Sequence, residues 1–356
     1  MAFLSRPTIK PWLPRVWRDG ETLQIGAQPD IGVVVAGVDA GLARWLGGLD
    51  GSRAESEVLA EATAAGLDVA TARALLSGLN RSGVLLPGPV DALQLEDSGP
   101  LLPELVNLTA VHASSQHGNQ ALTARARRHV VIDGANRVGV PLGALLAASG
   151  VGRLSFLDTE PVRRCDAGVG GLSLDDEGKP RVGAALQAVR RISTAEHMLT
   201  DPEQHSVDLH ILCQPWTAHD PLQARGLTDQ IAHLAVAVRS DTVVIGPLVV
   251  PGRTSCLQCA EMHRTDRDPR WPTVAAQLVA TSNRAMHQPT SLLAALAAAL
   301  AAGQVLDHLD GLRSPAVLDA TLELHPPDWQ LHRRLWPPHP DCDCLAAGPP
   351  EARSSG

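Results

Sequence analysis

The stretch VVIDGANRVGVPLGALLAASG, residues 130–150, constrains the fold of this chain more than any other. An apolar, β-branched run meets a glycine turn, and the turn opens an apolar helix. Gly134 and Gly139 are spaced as the first and last glycines of G-x-G-x-x-G. In a nucleotide-binding strand–turn–helix unit the first glycine makes the tight turn. The middle one lets the backbone approach a phosphate, and the last lets helix and strand pack closely. Asn136 holds the middle position. Asparagine tolerates unusual backbone angles but still carries a side chain. On residues alone the turn predicts the fold, and retention for packing stands ahead of a working nucleotide site.

Alternation continues downstream. GRLSFLD reads as a second strand ending at Asp158, 19 residues beyond Gly139, where such folds place the acid that bonds ribose hydroxyls. RVGAALQAVRRIS reads as a helix, VDLHILCQP as a strand, LTDQIAHLAVAVRS as a helix and TVVIGPLVVPG as a strand with a proline turn. The expected class is α/β, Rossmann-like, with a largely parallel sheet. Upstream the pattern is different. VWRDGETLQIG reads as a hairpin around Asp19-Gly20, and GVVVAG as a third strand. Three helical patterns follow, with caps expected at Asp39, at Ser52 with Glu55 at N3, and at Asp68; VLLPG closes the unit. Three strands and three helices make a small winged-helix-like module.

The expected organisation is therefore that module over residues 1–90, a linker and connecting helix over 91–126, the nucleotide-binding-like domain over 127–346, and a free tail over 347–356. The formal net charge of −8 argues against a primary role on nucleic acid. A DNA-binding regulator ranks last, since the third helix of the module offers only Arg73 and Arg81. Pro7, Lys10, Pro11 and Pro14 interrupt any signal peptide. SLLAALAAALAAGQVL, residues 291–306, is shorter than the roughly 20 apolar residues of a membrane span. A buried helix and a cytoplasmic protein, without a membrane partner, are the expectation.

Six cysteines are present: Cys165 and Cys213 alone, Cys256/Cys259 and Cys342/Cys344 in close pairs. In a reducing compartment, two short-spaced pairs suggest a tetrahedral zinc that staples distant segments together. Closure by four thiolates implies a structural site with no open position. His339, in HPDCDC, is a possible substitute ligand, and two pairs of buried thiols are the bland alternative. EMHRTDRDPRWP, residues 261–272, reads as a salt-bridged surface loop, or more sharply as arginines meeting an anionic ligand. Cys165 has arginine neighbours but no adjacent base, so it reads as inert, and Cys213 as core. His197, His205, His210 and His219 show no ligand spacing and read as surface residues.

Strand, GANRVG turn, helix, LSFLD strand and two later cysteine pairs resemble the ThiF-type superfamily of sulfur-carrier adenylyltransferases and ubiquitin-activating enzymes over roughly residues 127–346. That resemblance implies ATP and magnesium as cofactors, adenylation of a carboxy terminus, and zinc on four cysteines. Gly134, Gly139 and Asp158 match the family's turn and ribose acid. EGKPRVG resembles the segment carrying the family's phosphate-contacting lysine; Arg181 stands at that place, with Lys179 close by. The family's Asn and Arg-Gln after the second strand are absent, RRCDAG standing there with Arg163 or Arg164 as replacements. Its acidic pair and Asn for magnesium are missing too, because LHILCQPWTAHD has no acid before Asp220. The first module resembles PqqD-like domains that bind leader peptides of ribosomal peptide pathways. The combination is similar to ThiF-like proteins of thiazole- and oxazole-forming systems. It implies a precursor leader peptide and a YcaO-type cyclodehydratase as partners, and a homodimer by analogy. The leading reading is a leader-peptide-binding scaffold whose degenerate ThiF-like domain docks that enzyme; the alternative is an active ATP-dependent adenylyltransferase.

Overall fold

The computed structural model describes residues 5–28, 31–86, 88, 99–112, 115–193, 197–198, 206–213, 231–281 and 288–345. The chain divides into two compact units, residues 1–123 and 124–356.

In the first unit, β2 (Arg15–Trp17), β3 (Leu23–Gln28) and β4 (Ile31–Val35) form an antiparallel sheet in the order β2-β3-β4. The Asp19-Gly20 hairpin is looser than the sequence predicts. Strand pairing ends at Trp17–Leu23, Asp19 Oδ1 accepts from the Glu21 amide, and Gly20 is not left-handed. Three helices follow: α1 (Ala40–Gly47), α2 (Glu55–Ala64) and α3 (Val69–Arg81). Asp39 caps α1 through the Leu42 amide, and Asp68 caps α3 through those of Ala70 and Thr71. The expected cap of α2 moves. Ser52 lies outside, Ala54 is the N-cap, and Glu57 reaches back to the Ala54 amide. Ser52 stands two residues before the N-cap, and its hydroxyl donates to Asp50 instead. Two very short strands that the patterning missed, β1 (Thr8–Ile9) and β5 (Leu85–Leu86), pair antiparallel and tie the two ends of the module together. The core includes Ile9, Ile25, Leu46, Leu49, Leu76 and Leu79. Helices α4 (Leu102–His112) and α5 (Ser115–Arg125) follow, two helices where the expected linker segment over 91–126 had one connecting helix.

The second unit is built on an eight-stranded sheet: β6 (His129–Asp133), β7 (Arg153–Leu157), β8 (His197–Met198), β9 (Leu209–Cys213), β10 (His233–Arg239), β11 (Thr242–Val249), β12 (Ala320–Leu324) and β13 (Leu331–Leu335). Its order is β13-β12-β11-β10-β9-β6-β7-β8. Pairing is parallel from β8 to β10 and antiparallel from β10 to β13. The α/β class with a largely parallel core sheet therefore holds. One expectation fails: LTDQIAHLAVAVRS is not a helix, because His233–Arg239 is a buried strand. Its apolar run fits either state by periodicity, and only pairing with β9 and β11 on its two sides selects the strand. The first part of that segment lies outside the described residues.

Helices α6 (Gly139–Ala148), α7 (Arg181–Arg190) and α10 (Ser291–Asp310) bury one face of the sheet in a single core. Helix α10 is long and apolar enough to cross a membrane by length and composition. Its Ala294, Ala297, Ala298, Ala301 and Val305 are instead buried in that core, against α6, β10 and β11. Small side chains allow this close helix approach, which accounts for the alanine run. The opposite face carries Leu212, Ala235 and Val249, packed on Cys256, Leu257 and Cys259 at the start of α8 (Leu257–Arg267). Helix α9 (Trp271–Thr281) follows. The segment expected to be a charged loop is thus mostly helical.

Candidate functional site

From β6 the chain proceeds to β7 on one side, while β9 lies on the other. The sheet therefore has a switch point between β6 and β9, the place where doubly wound sheets leave a crevice at their carboxyl ends. The GANRVG turn sits there. Gly134 has φ +115°, and a Cβ on it would come within 2.5 Å of the Cys213 carbonyl oxygen. A Cβ on Gly139 would lie 1.9 Å from the Gly134 carbonyl oxygen. Both glycines are fixed by backbone crowding before any ligand is considered.

Asn136 is buried and both ends of its side-chain amide are engaged. Its Nδ2 donates to the Cys213 carbonyl at 2.8 Å, and its Oδ1 accepts from the amides of Val138 at 2.9 Å and Gly139 at 3.1 Å. The amides that open α6, the groups a phosphate would meet at a helix start, therefore already hold an acceptor. Asp158 is committed as well. Its Oδ2 accepts from the Ala135 amide at 3.0 Å and its Oδ1 from the Glu160 amide at 2.9 Å.

Arg181 begins α7 and is 7% exposed. Its guanidinium donates through Nη2 to Asp166 Oδ2 at 2.7 Å, and through Nη1 to Asp158 Oδ2 at 3.3 Å. Burial works against the Arg181 charge, but Asp166 and then Asp158 outweigh it and raise its pKa. Asp166, in RRCDAG, is the member of this network that the sequence reading missed. Nothing in its local spacing marks it; a short 3-10 turn over Arg164–Asp166 carries it under Arg181. Lys179 bonds to Asp176 at 2.9 Å, while Arg163 pairs with Glu160 and Arg164 with Glu177. The two arginine pairs are surface pairs, of little strength, whereas Asp176 is buried under Lys179. Arg137, beside Asn136, reaches the Cys165 carbonyl and the Ser291 hydroxyl. Asp133, at the end of β6, is half-buried, and desolvation and then the charge of Asp158 raise its pKa. Asp220, the first acid after β9, lies outside the described residues, as do His205 and His219. His197 lies in β8, and His210 is buried in β9 rather than on the surface.

The four paired cysteines converge on the other face of the sheet. Cys256 and Cys259 sulfurs are 3.7 Å apart, Cys256 and Cys342 3.7 Å, and Cys259 and Cys344 3.5 Å; all four lie within 4.8 Å of one another. A tetrahedral zinc with Zn–S near 2.3 Å places sulfurs about 3.8 Å apart. The donor set and spacing fit zinc, which would tie the segment after β13 to the start of α8. His339 does not replace a thiol: its ring is bonded to Asp266 at 2.9 Å. Two of the three arginines in the segment after Cys259 are also engaged. Arg264 pairs with Glu261, and Arg264 and Arg267 lie 4.6 and 5.1 Å from the Trp336 ring centre. Cys165 is exposed and Cys213 buried.

Comparison with curated protein sequences gave no match. Solved structures match over nearly the whole chain. The microcin C7 biosynthetic enzyme MccB in complex with N-formylated MccA is 15% identical at a TM-score of 0.70, covering 95% of this chain and 99% of that one. E. coli MccB with ATP gives 15% and 0.69 over the same shares. PaaA gives 18% identity and 0.65, covering 91% of this chain and 98% of the other. At such identities the likeness speaks for the fold alone. The sequence itself carries the family: the model of the ThiF family matches residues 110–346, about two thirds of the chain, and spans the glycine turn, Asp158, Arg181 and all four clustered thiols. This chain belongs to the ThiF family.

Proposed function

We propose that this protein is a peptide-binding member of the ThiF family that has kept the nucleotide-binding fold and lost the adenylation chemistry. One observation carries the reading: Arg181, the residue left to meet phosphate, is buried and donates both to Asp166 and to Asp158, the residue left to meet ribose. A triphosphate entering this site has to break a desolvated ion-pair network. It meets Asn136 where the backbone amides of α6 would otherwise be free. Catalysis of this class rests mainly on fixed charge placed against the phosphates, and here that charge is already neutralised.

The peptide belongs to the first unit. β4 is one of the two edges of its three-stranded sheet among the described residues, with Val34 exposed. On α3, Ala72, Leu76 and Leu79 are core, whereas Arg73 and Arg81 are exposed. An extended leader peptide adding as a strand at β4 would gain main-chain hydrogen bonds, with the two arginines favouring an acidic sequence. MccB solved with N-formylated MccA supports a peptide substrate for this architecture. The further reading, a scaffold that hands a precursor peptide to a YcaO-type cyclodehydratase in a thiazole- or oxazole-forming system, as a homodimer, rests on the resemblance of the two modules. The four thiols hold a structural zinc.

The test uses the full chain and short peptides encoded beside its gene. Peptide binding that weakens as salt rises, with ATP–pyrophosphate exchange at background, is the expected result. The competing reading, an active adenylyltransferase, is favoured by the likeness to MccB solved with ATP. Robust exchange that disappears in Arg181→Ala or Asp158→Ala would establish it instead.

A further inference from the structure

Helix α8 presents Cys259, His263 and Asp266 at i, i+4 and i+7, one stripe of its surface. The segment after β13 lies along that stripe. His263 Nε2 donates to the Pro337 carbonyl at 2.9 Å, and Asp266 Oδ2 lies 2.9 Å from His339 Nε2. His339 Nδ1 accepts from the Asp341 amide at 3.1 Å. The imidazole proton is therefore on Nε2 and is donated to Asp266. That tautomer leaves His339 no lone pair for a metal, although His263, Asp266 and His339 lie within 4.8 Å of one another. The His339 backbone is used too: its amide bonds to the Cys259 sulfur, and its carbonyl accepts from the Cys342 amide at 3.0 Å. The His263 ring packs edge-on against that of His339, with centroids 4.8 Å apart.

We propose that His263, Asp266 and His339 form a clasp that positions Cys342 and Cys344 against Cys256 and Cys259, and so sets how long the thiol site retains its metal. The proposal rests on the zinc reading above and goes beyond it. The four thiols alone come from segments more than 80 residues apart, and Cys342 and Cys344 sit on a turn with little burial of their own. The clasp supplies the order: Asp266 fixes the His339 ring, the ring fixes the turn through the Asp341 amide, and the turn delivers Cys342. These groups orient ligands without binding the metal, and loss of such partners commonly costs ten- to a hundredfold in metal affinity.

Asp266 is the residue to test, because its side chain is 65% exposed and its removal leaves the core intact. Full-length zinc-loaded protein is mixed with an excess of a chromophoric chelator, and zinc release is followed by absorbance. Asp266→Ala should release zinc about tenfold faster or more. Asp266→Asn, which retains an acceptor for the His339 proton, should stay near the native rate. In zinc-free, reduced protein, Cys342 and Cys344 should react faster with a thiol reagent in Asp266→Ala than in the native chain. Native release and native thiol reactivity in Asp266→Ala would overturn the proposal. A native chain that binds no zinc would overturn the metal reading, and the thiol rates would then decide the clasp by themselves.

Discussion

Arg181 Nη2 and Asp166 Oδ2 lie 2.7 Å apart, and the Asp166 side chain is completely buried. The second Asp166 oxygen has no hydrogen-bond partner among the described residues, so this carboxylate depends on Arg181 for most of its compensation. Removing one member of a buried pair leaves the other charge desolvated. Asp166→Ala should therefore lower the unfolding free energy by about 3 kcal/mol, measured by urea denaturation, and should not bring nucleotide binding above background in calorimetry. Tight ATP binding by Asp166→Ala would show that the network merely masks a competent site.

Glycines of this chain divide by what surrounds them, and alanine should separate them by sign. Gly139→Ala drives a methyl into the Gly134 carbonyl and should cost about 1–3 kcal/mol or more. Gly303 lies on the exposed side of α10 with nothing within 4 Å of an added Cβ. There alanine should add about 0.5–1 kcal/mol through helix propensity. Thermal denaturation of both variants checks the pair; a neutral Gly139→Ala would contradict the crowding at the turn.

His210 and His233 are register neighbours on β9 and β10, and both are buried, with no hydrogen-bond partner for either Nε2 among the described residues. Burial, and then the charge of His233, hold His210 down to about 4, against an ordinary 6.5. Burial lowers His233 as well. The unfolded chain thus takes up these protons before the folded one does. Stability is complete above the ordinary histidine pKa and falls as pH drops from about 6.5 to about 4, by about 3 kcal/mol for His210. Denaturation at several pH values should show this slope, and His210→Leu should flatten it. An unchanged slope in His210→Leu would assign the acid lability elsewhere.

Zinc content should be about one equivalent per chain in protein purified without added metal, and chelation should lower the melting temperature. Cys342→Ser should lose zinc and stability together. Its sulfur lies 3.7 Å from that of Cys256, so its loss would leave three thiols for the proposed metal. Cys165→Ser, at an exposed cysteine outside the cluster, should change neither. If Cys342→Ser retains full zinc, the four-thiol assignment is wrong.

The sequence by itself determined the elements with strong local signals. The apolar run 130–132 and its glycine turn appear as β6 and α6, and Asp39 and Asp68 cap the helices they precede. The two thiol pairs were also legible, because ligand chemistry and spacing are local properties. Tertiary structure decided the rest. His233–Arg239 is apolar enough for either state and became a strand because two neighbours pair with it. Strands β1 and β5 are too short for any periodicity, and only their mutual pairing defines them. Asp166 and Asp266 look like ordinary surface acids in sequence. Each acquires its role from a side chain at least 15 residues away, brought to it by a 3-10 turn in one case and a helix face in the other. Hydrophobic period and cap chemistry act within a few residues of chain, whereas ion pairs and thiol clusters form between segments that only the folded sheet brings together.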